Sequence, residues 1–244
     1  MKTDAGNNRR YGLARVLSKM GLASRTQAAR WIAEGMVAVN GRTIHDSEFP
    51  VRMGLDSVTV GHRQAITQER IVLMLNKPRG MVTTRSDEKQ RPTVYDCLPE
   101  DMPWLAPIGR LDMASEGLLL FSNDPVWSAA ISDPETGPHK TYHVQINRVP
   151  DQELLEAFKA GLDSDVGFLR AHQASLLRHG DKNAWLQIVL DEGRNRHIRR
   201  MLQAFDISVL RLIRTAIGGL VLGDLAKGQC RQLNAADLAL LDDA

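Results

Sequence analysis

The 244-residue sequence predicts an α+β protein in two parts, a small α/β module of residues 1–60 and a larger α+β domain of residues 71–244. Three observations carry this. The first sixty residues run helix, helix, hairpin, strand, with a cap and a turn signal at the expected places. Residues 61–70 are polar and aperiodic, as a linker is. From Ile71 the composition shifts to strand-sized apolar runs punctuated by turns, with two amphipathic helical stretches. There is no internal repeat and no low-complexity segment.

In the module, Ala14 to Met20 reads as a first helix. Ser24 followed three residues later by Gln27 is a capping-box pattern that starts a second, carrying Ala28, Ala29, Trp31 and Ile32 and stopped by Gly35. Met36 to Ile44 is two β-prone runs around Asn40-Gly41, a dipeptide that tolerates positive φ at both turn positions. Ser57 to Val60 adds a strand.

In the larger part, strands are expected at 71–75, 118–121, 141–146 and 185–190. Asp151 can cap a helix bearing Leu154, Leu155 and Phe158, closed by Gly161. A second helix at roughly 195–205 puts Ile198, Met201, Leu202 and Phe205 on one face, with Arg196, Arg199, Arg200 and Gln203 on the other.

Hydrophobic residues at 43% and charged residues at 25% exclude a disordered or fibrous chain. Cys97 and Cys230 have no second Cys or His at a metal-ligand spacing, so neither a disulfide framework nor a zinc site is expected, and a reducing cytoplasm fits. The N-terminus lacks the apolar stretch of a signal peptide, and no apolar run is long enough to cross a bilayer. No heptad pattern argues for self-association, so a monomer is expected.

The net charge of +2 is uneven. Residues 1–63 hold ten Lys/Arg against five Asp/Glu, a net of +5; the rest hold twenty-one against twenty-four, a net of −3. Arg9, Arg10, Arg15, Lys19, Arg25 and Arg30 follow the helical part of the module. Such a series suits a phosphate backbone, because each neutralised phosphate releases counterions. Composition alone leaves an ordinary solvated face equally open. The run Arg15-Val16-Leu17-Ser18-Lys19-Met20-Gly21-Leu22-Ala23-Ser24-Arg25, then Ala28-Ala29-Arg30-Trp31-Ile32, then Gly35 to Gly41, resembles the RNA-binding domain named after ribosomal small-subunit protein four. That resemblance implies that Arg15, Lys19, Arg25 and Arg30 grip structured RNA.

The segment Gly109-Arg110-Leu111-Asp112-Met113-Ala114-Ser115-Glu116-Gly117, leading into Leu118-Leu119-Leu120-Phe121, sets Arg, Asp, Ser and Glu in a loop that feeds an apolar strand. A rigid strand after the loop holds an acidic side chain in place, as a catalytic carboxylate requires. Taken alone, Arg110 and Asp112 read as a surface ion pair. The stretch nevertheless resembles the Gly-Arg-Leu-Asp signature of the pseudouridine synthases, most closely the RsuA-like branch that modifies ribosomal RNA. Asn76-Lys77-Pro78-Arg79-Gly80, Lys140-Thr141-Tyr142, and Glu192 to Met201 with Arg214-Thr215-Ala216-Ile217-Gly218 resemble further motifs of that family, in the same order.

The resemblance implies a catalytic domain with a mixed, largely antiparallel, bent β-sheet flanked by helices. It implies an enzyme that detaches uracil from ribose, turns it and rejoins it through carbon. Asp112 would be the essential carboxylate, as nucleophile or as base; either role needs the ionised form, which a cationic neighbour favours. Arg199 would pair with and orient it, Tyr142 would stack beneath the uracil, and Arg110, Lys77 and Arg196 would hold RNA. His197 stands where the family commonly has Gln and reads as a structural replacement rather than a general base. The partner would be ribosomal RNA, with no cofactor, metal or membrane. Two other readings stand beside this one: a non-catalytic RNA-binding or ribosome-assembly factor, and a hydrolase using Asp112 and Glu116 as a carboxylate pair.

Overall fold

The computed structural model describes residues 9–241, so the polar stretch 1–8 and the last three residues of both the sequence and the expected catalytic domain lie outside it. The chain divides into two compact units. One runs to Ile71 and takes in Asp101–Ala106 and Ser122–Ser128; the other holds Val72–Glu100, Pro107–Phe121 and the chain from Ala129 on.

The first unit opens with β1 (Arg10–Gly12), α1 (Leu13–Lys19) and α2 (Arg25–Ala33). Gln27 N donates to Ser24 Oγ at 3.0 Å, and Gly35 follows α2 with φ 73°, so the start and stop signals act as their chemistry dictates. β2 (Val37–Val39) and β3 (Arg42–Thr43) form the hairpin, with φ 51° at Asn40 and 80° at Gly41. β4 (Pro50–Arg52) pairs with β1, and β5 (Val58–Val60) pairs with β2. Within the stretch expected as linker, Arg63–Gln64 instead form β6 against β5. Alternation is absent there because an exposed edge strand needs no apolar face. Leu13, Val16, Leu17, Ile32, Val37 and Val58 close the module's core.

The second unit is built on a nine-stranded sheet. Its strands are β7 (Val72–Lys77), β8 (Ala106–Ile108), β9 (Glu116–Ser122), β10 (Lys140–Ile146), β13 (Gln173–His179), β14 (Ala184–Leu190), β15 (Val209–Ile217), β16 (Leu220–Val221) and β17 (Cys230–Gln232); a separate hairpin joins β11 (Leu162–Ser164) to β12 (Gly167–Leu169). The order is β13-β14-β10-β15-β9-β7-β17, with β8 on β9 and β16 on β15. The β9–β15 pair is parallel, whereas β10 pairs antiparallel with both β14 and β15, and β7 antiparallel with β17, so the sheet is mixed and largely antiparallel. Helix α3 (Pro125–Ser132) contributes residues to both units, and α4 (Gln152–Ala160), α5 (His197–Gln203) and α6 (Ala235–Ala239) belong to the second. The Leu154 amide donates to Asp151 Oδ1 at 2.9 Å, and Gly161 closes α4 with φ 87°. The second amphipathic helix begins only at His197, after a left-handed Arg196 (φ 54°), and stops at Gln203, before Phe205, where the chain turns left-handed at Asp206 (φ 55°).

β9 is buried along its whole length, which is why it reads as a continuous apolar run. Its pairing with β15 depends on Gly117, whose φ is 101° and where a Cβ would lie 2.2 Å from the Arg214 carbonyl oxygen. Gly41 also has positive φ, at 80°, but open space around it. Gly41→Ala is therefore expected to lower stability by about 1 kcal/mol, the left-handed penalty alone. Gly117→Ala adds backbone overlap in the core and should exceed about 3 kcal/mol. Urea denaturation of both variants measures the difference, and equal losses would refute the account.

Candidate functional site

Asp112 sits at the start of a tight turn in which the Ser115 amide donates to the Asp112 carbonyl at 2.9 Å. The turn is pinned by the segment that follows β7. Thr83 Oγ1 donates to the Leu111 carbonyl at 2.7 Å, the Gly80 amide to the Met113 carbonyl at 2.7 Å, and Lys77 Nζ to the Ser115 carbonyl at 2.8 Å. From α5, Arg199 Nη2 approaches the Ala114 carbonyl at 3.4 Å. The carboxylate is thus carried by a loop whose backbone is held from two directions.

Lys77, expected among the RNA contacts, does not reach the surface. It is fully buried, and its ammonium lies between the Pro78 and Ser115 carbonyls. Burial pulls its pKa down to about 8, against the opposing pull of Asp112 and Glu116. Its place at the end of a strand buried on both faces explains the difference: a long side chain there has only interior carbonyls to bind.

The Asp112 carboxylate is about one-third exposed and faces two guanidinium groups, with Arg199 Nε and Arg196 Nη1 each 4.0 Å from Oδ2. Arg199 is the more enclosed, and its Nε is buried with no hydrogen-bond partner. Burial, then Arg196, lowers the Arg199 pKa below the usual guanidinium value, while Asp112 opposes the shift. Asp112, Arg110, Tyr142, Arg196, His197 and Arg199 all line one cavity of about 170 Å³. At ~10–15 Å³ for each water, that is room for a base rather than a single ion. A second hollow, bordered by Thr83, Thr84, Lys89, Arg91 and Asn195, also reaches Arg110 and Asp112.

Tyr142 is 92% buried, in register with Arg214 on β15 and Ile188 on β14. Arg214 is a site residue that the motif reading quoted without singling out. It occupies the buried phase of β15 with Leu212 and Ala216, and a charge in that alternating phase is the signal that could have found it. Its Nε donates to the Leu118 carbonyl at 2.7 Å, and its Nη2 is buried and unpaired. Ser115 Oγ in the same cavity is also unpaired. Lys140 lines the cavity too, its pKa lowered by burial and then by Arg214. Buried donors without acceptors call for a ligand rich in acceptor oxygens.

His197 is 3% exposed, and burial holds its pKa below the usual imidazole value, with Glu192 opposing. Glu116 cannot complete a carboxylate pair with Asp112. It is buried, and its carboxylate is bound by Arg211 at 3.0 and 3.1 Å and by Lys227. Burial acts to raise its pKa, but those two cations outweigh burial and leave it lowered.

In the first unit, Arg15, Arg25 and Arg30 are exposed and Lys19 is half-buried. Lys19 Nζ lies 4.4 Å from the centre of the Tyr11 ring, which Arg9 and Arg15 also approach at 5.5 Å. One aromatic ring thereby gathers three cations.

The family model described as RNA pseudouridylate synthase matches residues 71–204, and that of the S4 domain matches residues 12–56. The chain is 33% identical over 232 residues to "Ribosomal large subunit pseudouridine synthase B" of Bacillus subtilis, covering 94% of each chain. It is 34% identical over 226 residues to an "Uncharacterized RNA pseudouridine synthase" of Aquifex aeolicus, covering 92% of this chain and 91% of that one. Among solved structures, "Crystal structure of pseudouridylate synthase" superposes with a TM-score of 0.65 at 28% identity, covering 96% of this chain and 100% of the other.

The buried lysine beneath the Asp112 loop has a measurable signature. Its folded pKa, about 8, lies below the 10.5 of an unperturbed lysine, so the unfolded chain binds more protons between those values. Stability from this group is fully present above pH 10.5 and lost as pH falls through 8. Relative to Lys77→Met, the wild type should gain about 3 kcal/mol between pH 8 and pH 10.5. Urea melts across that range check this, and parallel curves for the two proteins would refute it.

Proposed function

Because the chain belongs to the RNA pseudouridylate synthase family, we propose that it isomerises a uridine of ribosomal RNA and that Asp112 is its essential carboxylate. The supporting observation is the cavity itself. One carboxylate faces two guanidinium groups beside a buried tyrosine, and the surrounding donors lack acceptors. The relatives named for ribosomal large-subunit modification favour ribosomal RNA as the substrate.

The reaction breaks the bond from uracil N1 to the ribose C1′, rotates the base and forms a bond from C5 to C1′; the C5 proton is lost and N1 gains one. Asp112 acts on the nucleotide as nucleophile or as base, with Arg199 and Arg196 facing its carboxylate. Arg199 orients that carboxylate from its partly buried position. Tyr142 stacks under the uracil, and such stacking contributes about 1–3 kcal/mol, comparable with the few kcal/mol that flipping a base costs. Arg110 and Arg196, both exposed at the cavity mouth, hold the displaced nucleotide and its phosphates. The buried acceptor-seeking atoms Arg214 Nη2 and Ser115 Oγ suit the two carbonyl oxygens of uracil.

In the first unit, Arg15, Lys19, Arg25 and Arg30 bind structured RNA through its phosphates. The net +5 of that part gives the affinity its salt dependence.

Asp112→Asn should lower pseudouridine formation in ribosomal RNA by about 10³-fold or more, with the fold and RNA affinity retained. Derivatising the product chemically and counting labelled sites measures this, and a variant with full turnover would rule out the carboxylate's role. Arg25→Gln with Arg30→Gln should weaken RNA binding and flatten the plot of log affinity against log salt by up to about 1.5, roughly 0.7–0.9 per phosphate contact. An unchanged slope would remove these residues from the RNA surface.

A further inference from the structure

We propose that His139, His172 and Asp191 form a binding site for a divalent transition-metal cation of the zinc class. The three are far apart in sequence, so no spacing motif announces them. The sheet brings them together. The β10–β14 ladder ends at Lys140 opposite Leu190, which leaves His139 and Asp191 as the next residues outward. On the other side of β14, the His172 amide donates to the Val189 carbonyl at 2.9 Å. Three adjacent strand ends thus each supply one ligand.

The donor atoms already converge. His139 Nε2 is 3.3 Å and His172 Nδ1 3.1 Å from Asp191 Oδ1, and the three atoms lie within 4.8 Å of one another. The imidazole rings are 4.5 Å apart, centre to centre. Asp191 Oδ1 is shielded from solvent, yet it makes no hydrogen bond among the described residues, so the two nearby ring nitrogens do not satisfy it. A buried, unsatisfied carboxylate oxygen flanked by two imidazole nitrogens calls for a bound cation.

Zinc bonds of about 2.0–2.2 Å at tetrahedral angles place ligand atoms roughly 3.4 Å apart, close to the 3.3 and 3.1 Å that separate the two ring nitrogens from Asp191 Oδ1. Two imidazoles and one carboxylate select zinc, cobalt or nickel over magnesium or calcium, which prefer all-oxygen sites. Arg170 Nη2 lies 3.7 Å from the other carboxylate oxygen, Oδ2, and leaves Oδ1 to the metal. Both imidazoles are partly exposed, so water can take the fourth position. The metal would tie together the ends of β10 and β14, where the loop towards Arg194 and Arg196 begins.

Titration of the full chain with Zn²⁺ against a chromophoric chelator, repeated with Co²⁺ for its visible spectrum, tests the site. One equivalent should bind, with a Co²⁺ band of tetrahedral intensity, and Zn²⁺ should raise the thermal midpoint. His172→Ala and Asp191→Asn should each weaken binding at least about tenfold and remove the thermal shift. His172→Gln replaces the alanine variant if that one does not fold. The double variant Cys97→Ser with Cys230→Ser should bind as the wild type does. The proposal is overturned by an absence of binding at micromolar Zn²⁺, by unchanged affinity in the His172 and Asp191 variants, or by loss of binding in the cysteine variant.

Discussion

The close passage of β15 across Gly117 is the constraint on which the rest of the catalytic unit depends. At this point two parallel strands approach so tightly that only hydrogen can occupy the Cβ position. The contact joins two segments that line the cavity. Upstream of Gly117 in the chain lies the turn with Asp112; across the pairing lies Arg214, which reaches back to the Leu118 carbonyl. β15 then pairs with β10 and sets Tyr142 beside Arg214. A larger residue at position 117 would separate carboxylate, tyrosine and buried arginine at once.

Close strand packing places Asp112 but does not by itself stop its loop from moving. That task falls to polar groups kept in the interior at an energetic cost. Lys77 is buried with a depressed pKa so that its ammonium can bind the Ser115 carbonyl, while Thr83 holds Leu111. Glu116, next in the chain, is anchored by Arg211 and Lys227. One end of the Asp112 turn is therefore tied to charged groups in low-dielectric surroundings, where such bonds are strong and their loss is expensive, and the other to the Thr83 hydroxyl. Preorganisation of this kind fixes where the carboxylate stands before any substrate arrives.

Local signals were legible wherever chain-local chemistry decides the structure. Ser24, Asp151, Gly161 and the Asn40-Gly41 turn behave as their side chains and φ preferences require. β9 was legible from its apolar run, and the family motifs pointed to residues that share one cavity. What escaped depends on partners distant in sequence. β15 interrupts its apolar residues with Arg211, Arg214 and Thr215, and β13 is exposed along nearly its whole length, so neither shows a plain apolar run or alternation. Lys77 read as a surface cation because it lies past the apolar run of residues 71–75, and nothing local says that the strand stays covered beyond Leu75. The meeting of His139, His172 and Asp191 follows from the register of three strands, which no spacing rule contains.

The charge arithmetic acquires its meaning at this level. The larger part of the chain is net acidic, yet its cavity is lined by Arg110, Lys140, Arg194, Arg196, Arg199 and Arg214 with Asp112 as the one carboxylate among the lining residues. The two are compatible because net charge is a sum over the whole domain, whereas these cations are gathered around one cavity. Asp87 is paired with Arg91, Asp165 with Arg200, Asp237 with Arg231, and Glu116 with Arg211 and Lys227. Each pair cancels a cation along with its acid and leaves the net charge of the domain no less acidic, so the field at the cavity is set by its own surplus of positive charge. A polyanion is thereby drawn to the cavity of a domain whose overall charge would repel it. The pull on a polyanion and the two guanidinium groups that face Asp112 are two consequences of the same clustering.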